Sequence, residues 1–73
     1  MKRPSNSEQL RRLARFNRNF PVGTPVYLKQ DGKLQPVLTR VREEAFMLGG
    51  HTPVVFLDGI SSCYDISRVS AAS

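Results

Sequence analysis

Arg11, Arg12, Arg15 and Arg18 are the residues whose type and spacing best suit chemistry, and that chemistry is charge recognition. A guanidinium stays protonated and presents a planar fork of donors that matches phosphate or carboxylate. Arg11, Arg15 and Arg18 recur at i, i+4 and i+7, so on a helix they share one face, with Arg12 beside them. Such a row could neutralise backbone phosphates of DNA or RNA and would bind in a salt-dependent way. The plainer reading is a solvated helix face, with arginine serving helix propensity and solubility. Acids are nearly absent around these arginines, which tips the balance toward function. Arg40 and Arg42 share a strand face with Leu38. They could extend the cationic surface, with Tyr27 or Phe46 as a stacking platform of the kind single-strand binders use. Cross-strand pairing with Asp58, Glu43 or Glu44 is the weightier reading for these two.

Little else in the chain suggests catalysis. His51 stands alone in a glycine loop, without co-ligands for a metal or a nucleophile at a defined spacing. Cys63 reads as a small, partly or fully buried apolar residue, since nothing marks an electropositive setting around it. Asp58 precedes Gly59 and is more simply a turn former than half of a carboxylate pair with Asp65. Gly49-Gly50 is too short for a phosphate loop, and no dinucleotide, Walker or metal motif occurs. No enzyme activity, metal or cofactor is expected.

The charge is placed unevenly. The chain has 73 residues and a net charge of +5. Residues 1–20 hold six Lys or Arg against Glu8 alone, and residues 21–73 hold five against five acids. The whole excess therefore sits at the front, which implies an acidic partner: nucleic acid or an acidic protein surface. One cysteine rules out an internal disulfide. No run approaches membrane-span length, and Met-Lys-Arg is followed by no apolar stretch of a signal peptide, so a cytoplasmic protein is expected and no membrane partner.

A basic helix and a β domain must position these residues. Residues 1–5 are expected to form a disordered tail, apart from a capping box in Ser5-Asn6-Ser7-Glu8. The helix is expected over residues 6–19, with Leu10, Leu13, Phe16 or Asn17, and Phe20 as an apolar stripe. Residues 22–70 are expected to form one small β domain. Its organising stretch is residues 54–57, Val-Val-Phe-Leu, a central strand covered on both faces and bounded by Pro53 and Asp58-Gly59. Val26 and Leu28 should point inward on a first strand, with Tyr27 and Lys29 outward. Asp31-Gly32 reads as a type I′ turn leading to a return strand over residues 34–41, with Pro36 on an edge or at a bulge. Residues 45–48 are read as a strand rather than a helical turn. Gly49-Gly50-His51-Thr52 is read as a hairpin loop, and Ser67-Arg68-Val69 as a short turn into a closing strand, with residues 70–73 fraying. About five short antiparallel strands after one amphipathic helix suggest a small SH3-like barrel. A core this small is marginal alone, and a homo-oligomer is one remedy.

Several strings carry a resemblance: Phe20-Pro21-Val22-Gly23-Thr24-Pro25-Val26, Thr39-Arg40, Glu44-Ala45-Phe46 and Leu48-Gly49-Gly50-His51-Thr52-Pro53-Val54-Val55. They resemble small uncharacterised SH3-like proteins encoded by bacterial plasmids, prophages and integrative elements, over roughly two-thirds of the chain. The resemblance implies an accessory role in a mobile genetic element, in maintenance or in handling host defences, and no chemistry to carry over. The leading expectation is a non-enzymatic nucleic-acid-binding module. The alternative is a protein-interaction module that binds or inhibits a host factor or defence complex. The plasmid-encoded type II dihydrofolate reductase matches in size and layout, but its pore residues find no counterpart here.

Overall fold

The computed structural model describes residues 6–72 and builds them around the expected central stretch. The elements in order are α1 (Asn6–Asn19), β1 (Pro25–Leu28), β2 (Val37–Arg40), β3 (Phe46–Leu48), β4 (Thr52–Val55) and β5 (Tyr64–Asp65). A 3-10 turn (Ile66–Arg68) then leads into β6 (Val69–Ala71). Six strands thus replace the expected five or so, in two three-stranded antiparallel sheets of order β2-β1-β6 and β3-β4-β5. An isolated antiparallel bridge, Val41↔Leu57, joins the run-outs of β2 and β4. It is flanked by Arg42 N donating to Phe56 O and Asp58 N donating to Arg40 O, each at 3.0 Å.

β4 is the middle strand of its sheet, and Pro53, Val54 and Val55 are all buried, as a strand covered on both faces requires. Pro53 lies inside the strand rather than before it, opposite Met47. β5 reaches only to the Val54↔Asp65 pair, so no ladder partner faces the proline from that side. Val26 and Leu28 of β1 are fully buried and join Phe16, Val41, Ala45, Val55, Leu57 and Ile66 in the core. Thr39 is the buried polar residue, and its hydroxyl donates to Asp58 O at 2.7 Å. That bond removes the cost of an unpaired hydroxyl in the core.

Several expectations need correction. Lys33 N donates to Gln30 O at 3.2 Å, so residues 30–33 do turn, but only Gly32 there has positive φ. A type I′ turn needs positive φ at both central residues, so this turn is of another type. The return strand starts at Val37, not at residue 34, and Leu34 is wholly exposed on the preceding loop. Two glycines do meet the positive-φ requirement at the next hairpin: Gly49 at 63° and Gly50 at 79°, between Leu48 O and His51 N. Ser70 and Ala71 do not fray; they pair with Tyr27 and Val26. The expected disordered tail over residues 1–5, with its cap at Ser5, lies outside the described residues, as does Ser73.

Candidate functional site

α1 begins among Asn, Ser and Glu, good first-turn residues, and ends where Pro21 forbids continuation. Its docked face is built from Phe16, which is buried, and from Leu13 and Phe20 packed against the same core. The Phe16 and Phe20 rings meet at 4.9 Å between centroids. Leu10, expected on this stripe, is 56% exposed instead. It falls on the flank of the helix, away from the centre of the docked face.

Asn17 fixes the helix laterally. Its Nδ2 donates to Ala45 O at 3.2 Å, and its Oδ1 accepts from Ala45 N at 2.9 Å. The amide thereby imitates a neighbouring strand and satisfies both backbone groups of Ala45 just before edge strand β3. Residue spacing alone suggested Asn17 as an alternative stripe position. Its partner, 28 residues away, could not be read from it.

The opposite face of α1 carries the arginines. Arg11, Arg15 and Arg18 are exposed and lie roughly half a turn from the Leu13, Phe16 and Phe20 face, given ~100° per residue. Arg12 is exposed beside them and donates to Gln9 Oε1 at 2.9 Å. The ion pairs found between described residues are Arg42 with Glu43 and Arg68 with Asp31, so neither engages an α1 arginine.

Arg40 and Arg42 are exposed on the outer face, as the alternation predicted, but their surroundings differ from those of the helix. Arg42 lies 3.9 Å from a Glu43 carboxylate oxygen, and its guanidinium carbon lies 5.7 Å from the Phe56 ring centroid. Phe56 in turn stacks on Phe46, with centroids 5.8 Å apart and planes 22° apart. Arg40 lies across the backbone from Asp58. The expected cross-strand pairing is thus not found among the described residues: the acid that Arg42 meets is its neighbour Glu43, and neither ion pair involves Arg40. Tyr27 belongs to the other sheet, opposite Leu38 and Ser70, and has no part in this aromatic group. Phe56 was read only as part of the central apolar run. The Phe56–Phe46–Arg42 grouping follows from pairing between three separate segments, which no local spacing reveals.

His51 is exposed, with Nδ1 3.0 Å from Thr52 Oγ1. Cys63 is a free, half-buried thiol. Among the described residues no group of three His, Cys, Asp or Glu is placed to hold a metal ion. No helix among them is long and apolar enough to cross a membrane. Comparison with protein-family models finds no match, and neither the curated proteins nor the solved structures give one.

Proposed function

We propose that the protein is a small non-enzymatic module that binds nucleic acid through the arginine face of α1. The observation behind this reading is the division of that helix. One face is consumed by the core, and the other presents four exposed guanidinium groups, none ion-paired to a described carboxylate. Arginines that form no ion pair with a described carboxylate are available to phosphates, and release of counterions from the phosphates drives binding. We place Arg40 and Arg42 at the margin of the same interface. We further read the two bridged sheets as an SH3-like barrel, because β1 is flanked by β2 and β6 and a 3-10 turn immediately precedes the last strand. With the resemblance of its strings to mobile-element proteins, this makes it an accessory DNA- or RNA-binding protein acting in the cytoplasm.

The test is fluorescence anisotropy with labelled DNA and RNA over a salt series. Four neutralised phosphates give a slope of log K against log salt of about −3 to −4. Replacing Arg11, Arg12, Arg15 and Arg18 together by alanine should abolish binding. Absence of binding at low salt would refute the reading. Capture of a host protein that survives nuclease treatment, with no affinity for nucleic acid, would point to the protein-interaction alternative.

A further inference from the structure

The outer side of the β3-β4-β5 sheet carries an aromatic group that the core does not use. Ala45 is buried, so strand alternation turns Phe46 to the opposite side, where it is 38% exposed. Phe46 stacks on half-buried Phe56, and the Arg42 guanidinium lies over the Phe56 ring. Leu48 extends this surface along β3 and is also exposed. The result is a stack in which Phe46 and the Arg42 guanidinium both lie against Phe56, with Phe46 as its exposed ring.

Its charge is distinctive. Glu43 lies 3.9 Å from the Arg42 guanidinium and exposed Glu44 follows it in the chain, so this patch is less inviting to phosphate than α1. An uncharged ring face is a different matter, since bases stack on aromatic side chains and on guanidinium planes alike. The Asn17–Ala45 tether then relates the patch to α1. Asn17 lies on the flank of the helix that faces edge strand β3. One further step of ~100° around the helix brings Arg18, with Arg11 on the same line two turns earlier. Arg11 and Arg18 therefore lie one step beyond the flank of α1 that is tied to Ala45, the residue before Phe46.

We propose that the nucleic acid bound is single-stranded, its phosphates on the α1 arginines and a base stacked on Phe46, the exposed ring of the Arg42–Phe56–Phe46 stack. This rests on the phosphate reading of α1 and adds its substrate class. A duplex keeps its bases stacked inside and can offer only its backbone to α1, whereas an unpaired strand can reach both surfaces. The acids beside the platform repel phosphate and so orient the strand with its backbone toward the helix.

The chain contains no tryptophan, so Phe46→Trp introduces a single indole at the platform. The expected result is saturable quenching of that indole by oligo(dT) and oligo(rU), and none by a duplex of equal length. The DNA and RNA arms show which backbone is preferred. Phe46→Ala should weaken single-strand affinity about tenfold or more while leaving the weaker duplex affinity unchanged. If Phe46→Ala fails to fold, the indole signal alone decides. Anisotropy that records binding without quenching, or a duplex bound as tightly as a single strand, overturns the stacking proposal and leaves the phosphate reading standing. No binding of any oligonucleotide overturns both.

Discussion

Asn17 shows how much one side chain can decide. Its two hydrogen bonds to Ala45 occupy a backbone donor and acceptor that would otherwise face an open sheet edge. Asn17→Ala should lower stability by about 1–3 kcal/mol in urea unfolding, because both backbone groups lose partners near the core. Asn17→Asp should be no better. It restores the acceptor for Ala45 N but sets a carboxylate oxygen against Ala45 O. Asn17→Ala leaves the arginines and the net charge unchanged, so a loss of binding in that variant would report a shifted helix, whereas Asn17→Asp would also lose binding through its added negative charge. The sequence shows that position 17 sits near an apolar stripe. It does not show that an amide there closes a sheet edge, since a hydrogen-bond partner far along the chain leaves no local trace.

At the scale of the element, turn chemistry separates what was legible from what was not. Asp31-Gly32 and Gly49-Gly50 both signal turns, and both are turns. Which one takes positive φ at two successive residues depends on the strands it must join. β3 and β4 are paired up to Leu48↔Thr52, so their connection must be tight. β1 and β2 resume pairing only at Leu28↔Val37, which leaves a longer loop free to turn in another way. Gly49→Ala and Gly50→Ala should each cost about 1–2 kcal/mol, because an L side chain is strained in the left-handed region. At Gly49 the new Cβ would also meet His51 Nε2 at 3.4 Å. Gly50→Asn should cost less than Gly50→Ala, as asparagine tolerates that region better. Thermal unfolding of the three variants checks the order. Gly32→Ala should be costly too, since φ there is 77°.

For the molecule as a whole, the helix is part of the core and not an appended arm. Phe16 is buried with Val26, Val41 and Val55, so removing its ring strikes the centre of a small domain. Phe16→Ala should cost about 3–5 kcal/mol, against a total of roughly 4–11 kcal/mol for a chain of this size. Arg15→Ala or Arg18→Ala, on the opposite face, should change stability by no more than about 0.5 kcal/mol. Urea midpoints and anisotropy measured on the same variants should therefore dissociate. Phe16→Ala lowers the midpoint sharply and loses binding only in so far as it unfolds, whereas the arginine variants lose binding and keep their midpoint. A midpoint that fell as far with the arginine variants would show that those side chains hold the fold.

The helix and its polarity, the inward positions of Val26 and Leu28, the buried run of β4 and the exposed alternation of Leu38, Arg40 and Arg42 were all determined by the sequence alone. They rest on interactions between residues a few positions apart, and a period of 3.6 or of 2 records them. The cross-sheet bridge at Val41 and Leu57, the start of β2 at Val37, the clamp from Asn17 to Ala45 and the stacking of Arg42, Phe56 and Phe46 were decided only in the tertiary structure. Each joins segments whose relative register is chosen by the core they share, and burial of one face does not reveal, along the chain, which neighbours the other face will meet.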